Sequence, residues 1–340
     1  MTRLELPIPY NFKEEKTEQI WKVDYQQRAE EARDWAYKYN IKPASQDKFK
    51  ICLVLVDVQN TFCNPEFELF VAGRSGKGAI EDNIRLCKFI YRNLDLITEI
   101  IPTMDTHQAI QIFHSIFLLN EEGKHPAPYT LISVEDVEKG IWRINPEVSE
   151  IIGLKKEKAQ EYLLHYTKEL KDSGKYNLTI WPYHAMLGGI GHALVPAIEE
   201  AIFFHSIARF NQPDFQIKGR NPLTEHYSAF GPEVKRDIDE KQIAEKNTPL
   251  IEKLQKYDAV IITGQAKSHC VAWTIDDLLQ EKKDIAKKIY LLEDATSPVV
   301  IPGAIDFTEA ADKAFKKFAD AGTKIVRSTE PLESWKGMMV

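Results

Sequence analysis

Two stretches limit the fold more than anything else in this chain: "KICLVLVDVQ" at 50–59 and "DAVIITGQA" at 258–266. Each holds an unbroken apolar run rich in Val and Ile, without the polar alternation of a strand that keeps one wet face. Such runs suit strands covered on both sides. "ITEIIPTMDTH", "DFQIKG", "KIYLLEDAT" and "TKIVRST" read as further strands. Helical spacing fills "GAIEDNIRLCKFIYRNLDLI", "NTPLIEKLQKY", "SHCVAWTIDDLLQEKK" and "FTEAADKAFKKFADAG". Strands alternating with helices predict an α/β fold: a parallel sheet with helices on both faces and ligands beyond the carboxyl ends of its strands.

Two regions fall outside that alternation. Residues 1–45 read as an N-terminal helical extension, because "TEQIWKVDYQQRAEEARDWAYKYN" lines up Ile20, Trp21, Val23, Tyr25, Ala29, Ala32, Trp35 and Ala36 as a broad apolar side. The main domain is expected over 46–335. Within it, 120–175 is polar and helix-prone ("SVEDVEKGIW", "KKEKAQEYLLHYTKELKDSG") and reads as an insertion, a lid or an oligomer contact.

Composition narrows the function. A net charge of -7 over 340 residues, with no long basic cluster, argues against a nucleic-acid partner. No apolar run reaches the roughly 20 residues that span a bilayer, and the first residues lack a signal peptide's apolar segment. Cys52, Cys63, Cys87 and Cys270 show no disulfide or zinc spacing. Cys52 and Cys87 sit in apolar patterns as small buried residues. A cytoplasmic location is expected.

Several strand ends carry reactive side chains: Asp57, then Asp105 with His107, then Lys218, and finally a loop leading to Cys270. Strand-end loops gather at one edge of such a sheet, where a carboxylate, an ammonium and a thiol make a nucleophilic site. Ser268 is expected to cap the helix, putting Cys270 in a first turn that favours the thiolate. Lys218 pushes the same way, while Asp57 can take the thiol proton and return it to a leaving amine. A neutral, buried cysteine is the alternative that spacing alone leaves open.

Five pieces in order, "LVDVQNTF", "TMDTH", "IWPYH", "IKGRNPLTEHYSAF" and "ITGQAKSHCV", resemble the isochorismatase-like cysteine hydrolases, and within them the nicotinamidases. The resemblance covers roughly 50–118 and 176–330. It implies a three-layer doubly wound parallel sheet. It also implies Asp57, Lys218 and Cys270 as a catalytic triad that hydrolyses a small amide through a thioester. The Gln265–Ala266 peptide matches a bond that is cis in the family, with the N–H groups of Ala266 and Cys270 as the oxyanion hole. Isochorismatases proper cleave a vinyl ether without this thiol, so Cys270 favours amide chemistry.

The same resemblance implies Asp105, His107 and His184 as ligands of a divalent metal, zinc, iron or manganese, that binds the substrate's ring nitrogen. It implies Phe62, Trp181 and Tyr227 around the ring; Glu225 and Ser228 are candidates for outer hydrogen bonds that the sequence does not fix. His114 lies further along than the family's extra His, and its role stays open. The reading is therefore a cytoplasmic, metal-containing amidohydrolase acting on a small aromatic amide, and a candidate homo-oligomer. Its rivals are a metal-independent relative acting on ureido or carbamoyl amides, and a catalytically silent member that binds a small ligand.

Overall fold

Alternate residues of the first strand enter two different cores. Ile51, Leu53 and Leu55 pack into one cluster, whereas Cys52, Val54 and Val56 pack into another on the opposite face. That is why the run is apolar without a break. The computed structural model describes residues 5–303 and 305–340. Residues 1–4 of the N-terminal extension lie outside the described residues.

Six strands form the central sheet: β1 (Ile51–Val56), β2 (Ile97–Asp105), β3 (Gln216–Lys218), β4 (Ala259–Gly264), β5 (Ile289–Leu292) and β6 (Lys324–Val326). All neighbours pair in parallel. Their order is β6-β5-β4-β1-β2-β3, so the chain winds outwards from β1, returns to its other side at β4, and winds outwards again. The sheet is doubly wound, and its crevice opens between the carboxyl ends of β1 and β4. Gly264 closes β4 with φ +118°; a Cβ there would lie 2.1 Å from the Val56 carbonyl oxygen, so only glycine lets the two strand ends come this close.

The helices Tyr25–Lys38 (α1), Gly78–Arg92 (α2) and Pro196–Arg209 (α3) cover one face; Thr248–Leu254 (α4), Cys270–Glu281 (α5) and Thr308–Asp320 (α6) cover the other. The extension's helix begins later than its apolar pattern suggests, because Asp24 caps it by accepting from the Gln27 N–H. α1 joins the main core: Tyr25 meets Phe203 edge-on at 5.0 Å, Trp35 meets Phe204 at 6.3 Å, and Arg28 pairs with Glu200 at 3.4 Å.

α3 is absent from the sequence reading. Lying between the sheet and α1, it buries Ala197, Ile198, Ala201 and Phe204, so it lacks the contrast between wet and dry sides that marks a helix in sequence. It also buries His205, which donates from Nε2 to the Ile97 carbonyl at 2.8 Å. Burial pushes this imidazole down to about 4. An unfolded histidine titrates near 6.5, so below that pH the unfolded chain binds a proton that the folded chain refuses, and stability falls as pH falls from about 6.5 to 4. His205→Gln is expected to remove on the order of 2 kcal/mol of the stability difference between pH 7 and pH 5 in denaturant unfolding. An unchanged difference would contradict this.

The 120–175 region read as an insertion holds short strands and helices, including Val134–Glu138 and Lys156–Asp172. It has a core of its own, built from Ile132, Val137, Tyr162, Leu163 and Tyr166, which merges with Phe113 and Trp181 at the rim of the sheet. Among the described residues no helix is long and apolar enough to cross a membrane.

Candidate active site

Strand register sets up the site. Asp105 and Lys218 are the last residues of β2 and β3 and stand directly opposite each other in the parallel ladder. Asp57 follows β1 in a left-handed turn at φ +48°, and Cys270 opens α5 after the β4 loop. Lys218 Nζ lies 2.9 Å from Asp57 Oδ2, 2.9 Å from Asp105 Oδ1 and 3.7 Å from Cys270 Sγ, and donates to the His226 carbonyl at 2.8 Å. All four side chains are buried. Thr103 donates to Asp57 Oδ1 at 2.5 Å while accepting from its backbone N–H. Gln59 pins Asp105 twice, accepting from its N–H at 2.7 Å and donating to its carbonyl at 2.8 Å.

The charges divide unevenly. Burial pushes the Asp57 carboxyl up, Lys218 pulls it back and Asp105 adds to the rise, so Asp57 holds a proton more readily than an ordinary aspartate. Asp105 is buried too, but the charges of His107 and Lys218 outweigh burial and hold it well below the usual range. Lys218 stays charged: burial disfavours the ammonium, and Asp105 and Asp57 more than offset this.

Two expectations about Cys270 are corrected here. His269 occupies the N-cap and no side chain caps the helix; Ser268 Oγ instead contacts His269 Nδ1 at 2.8 Å and accepts from the Val299 N–H. The thiol is pushed up, not down. Burial raises it, and Asp57 and Asp105 add to the rise against the pull of Lys218. A thiol beside two buried carboxylates keeps its proton until one of them accepts it, and Asp57 and Cys270 both reach the same Lys218 ammonium.

The Gln265–Ala266 peptide is cis. Among the described residues the N–H groups of Ala266 and Cys270 have no acceptor within the protein. Both residues line the cavity beside the sulfur, so the two donors are available to a developing oxyanion.

Asp105, His107 and His184 converge with their ligand atoms within 4.8 Å of one another. His107 Nδ1 faces the Gly219 carbonyl at 3.2 Å, and His184 Nδ1 faces the Pro182 carbonyl at 2.8 Å. A carbonyl only accepts, so both Nδ1 atoms carry hydrogen, and neutral rings turn bare Nε2 lone pairs towards Asp105 Oδ2, at 2.8 and 3.6 Å. Such a set of lone pairs is stable only around a proton or a cation. Burial lowers His107 but the Asp105 charge raises it further, whereas burial leaves His184 lowered, so protonation satisfies one ring and not both. This donor set, with each ring oriented by a carbonyl behind it, fits a divalent cation. His114 stands at the edge of the cluster, 6.1 Å from His107 and 6.0 Å from His184 between ring centres, with its Nε2 buried and unpartnered.

A cavity of about 80 Å³ opens beside Cys270 and reaches Asp105 and His184. It has room for roughly six waters, the size of one ring with a small polar substituent. Phe62, Trp181 and Tyr227 all line it. Trp181 Nε1 donates to the Tyr227 hydroxyl at 3.0 Å, and Phe62 stands edge-on to His184 at 5.7 Å. Glu225 also faces the cavity, with its carboxyl raised by burial to about 7. Ser228 does not line it; its hydroxyl accepts from the Phe230 N–H and shapes the local turn.

Sequence reasoning passed over several supports. Gly219, with φ +85°, leaves no room for a side chain: a Cβ would sit 2.8 Å from His107 and 2.9 Å from Asp105. Its position after Lys218 was a legible signal. Asp82, buried on α2, accepts from the Gln265 amide at 3.0 Å behind the oxyanion loop. A polar residue on a helix gives no hint of that, and the cavity's Tyr129 comes from within the insertion.

Neither protein-family models nor curated proteins match the chain. Solved structures similar to it include a nicotinamidase–pyrazinamidase of Acinetobacter baumanii at 20% identity, covering 84% of this chain and 98% of that one, with a TM-score of 0.49. A yeast nicotinamidase is similar at 20% identity, over 81% of this chain and 99% of that one, with a TM-score of 0.49. A Pyrococcus horikoshii pyrazinamidase in complex with zinc is similar at 18% identity, over 82% and 99%, with a TM-score of 0.43. Likenesses this distant carry no weight for function, which has to be judged from the side chains themselves.

Proposed function

We propose that the protein is a cysteine-dependent amidohydrolase of nicotinamidase type that converts a small aromatic amide to its acid and ammonia. One observation carries this reading: a single buried ammonium, Lys218, touches Asp57, Asp105 and Cys270, and the last two line a cavity of about 80 Å³. Asp57 takes the Cys270 proton as the sulfur attacks the amide carbon, and the Ala266 and Cys270 N–H groups receive the oxyanion. Collapse expels the amine, which leaves as ammonia with the proton from Asp57. A water then gives a proton to Asp57 and attacks the thioester; the acid departs and the proton returns to sulfur. Lys218 keeps the buried charge balanced throughout.

Asp105, His107 and His184 would hold a divalent metal ion, a Lewis acid able to hold a ring nitrogen of the substrate. The cluster favours this reading over a metal-independent ureido or carbamoyl hydrolase. Four unpaired cysteines suit a reducing compartment, so a cytoplasmic location is part of the proposal. The test is ammonia release from nicotinamide and related single-ring amides, with metal content measured on the same protein. Ligand binding without turnover across the panel would favour the silent alternative.

A further inference from the structure

We infer that the insertion fixes the size of the substrate through one side chain, Tyr129, a role that rests on the amidohydrolase reading above. Tyr129 is the only residue of the 120–175 segment that lines the cavity among the described residues. It sits just before a short ribbon in which Leu131–Ile132 pair antiparallel with Leu178–Thr179. Its backbone N–H donates to the Ile180 carbonyl at 2.5 Å, and the Ile180 N–H donates to the Thr130 carbonyl at 2.9 Å. Those bonds tie it to the strand that leads into Trp181 and His184.

From there the phenol ring stands edge-on to Trp181, with centroids 6.2 Å apart and planes at 90°. Its hydroxyl donates across the mouth to the Glu68 carbonyl at 3.4 Å, and Glu68 lines the cavity from the main domain. Tyr129 therefore bridges the insertion and the hydrolase domain over the opening.

Its backbone adds a second, independent indication. Tyr129 has φ +68°, the left-handed region, where a side-chain-bearing residue costs about 1 kcal/mol relative to glycine. Glycine would suit this turn better, so what the position supplies is the ring. The insertion behind it is packed through Ile132, Tyr162 and Tyr166, all fully buried, so the roof is held by a solid core. A second ring would have to displace Tyr129.

Relief of φ in Tyr129→Gly offsets part of the lost ring contacts, and the melting temperature of each variant, read alongside, shows that it stays folded. With nicotinamide and a phenyl-substituted nicotinamide as substrates, the unsubstituted protein should strongly prefer the first. Tyr129→Gly should lose about tenfold in kcat/KM for nicotinamide, mainly through KM, and gain at least about tenfold for the biaryl amide. Tyr129→Phe, which keeps the ring and loses the hydroxyl, should preserve the size limit.

A readout without turnover separates this inference from its parent. Pyridine-3-carbaldehyde and its phenyl-substituted analogue can each add the Cys270 sulfur to the carbonyl carbon, with the thiol proton passing to the carbonyl oxygen. Their binding ratio, followed by tryptophan fluorescence, should shift towards the larger aldehyde in Tyr129→Gly. If no amide is turned over by any of these proteins, the amidohydrolase reading fails while the aldehyde ratio still decides the role of Tyr129. An unchanged ratio in Tyr129→Gly, or no aldehyde binding at all, overturns the inference.

Discussion

Cys270→Ala is expected to lower ammonia release from nicotinamide at least about 1,000-fold while leaving the protein folded. The sulfur lies at the cavity wall 3.7 Å from a buried ammonium, Lys218, which also pairs with the buried Asp57 carboxylate. Removing it deletes the bond-forming atom but leaves the Lys218 pairs with Asp57 and Asp105 in place. The loss of one small buried side chain costs about 1 kcal/mol, so the circular dichroism spectrum should not change. Because burial and the neighbouring carboxylates push this thiol up, the sulfur must hand its proton to Asp57 as it attacks. Asp57→Asn should therefore be nearly as damaging, and the double variant little worse than either alone, as for groups that act as one unit. Retained ammonia release in Cys270→Ala would remove the thioester route.

Much of this site was legible because strand ends announce themselves. β1 and β4 are apolar on both faces, and the polar residues that end such runs, Asp57 and Gln265, fall where a parallel sheet opens its crevice. Asp105 and Lys218 were legible for the same reason, and the register that pairs them follows once β2 and β3 are neighbours. The helix α3 was not legible, because a helix covered on two sides has no polar face to set its period.

The electrostatics were the least legible. A helix start and a lysine read as a recipe for a thiolate, but the sequence does not say that two carboxylates share that lysine, nor that burial acts on all of them. Nor does a polar, helix-prone insertion betray which of its residues faces the cavity. Tyr129 is a single aromatic in a loop, and only the ribbon with Leu178–Thr179 carries it to the mouth.

Lys218→Met is expected to cost more stability than any other single change in the site, about 3–5 kcal/mol near neutral pH. Methionine matches the length of lysine and fills its space, so the cost is electrostatic. Asp57 and Asp105, each 2.9 Å from the ammonium, are left buried without their shared counter-charge. Burial and mutual repulsion then both push these carboxyls up, so the folded variant binds a proton that the unfolded chain, with carboxyls near 4, has released. Stability of the variant relative to the parent must accordingly recover as pH falls from about 7.5 towards 5, the reverse of the His205 effect. Urea unfolding of both proteins across that range measures the sign directly. A penalty that stays constant or grows towards acid would mean that Lys218 does not hold the two carboxylates ionised, and the charge balance assigned to the triad would fall with it.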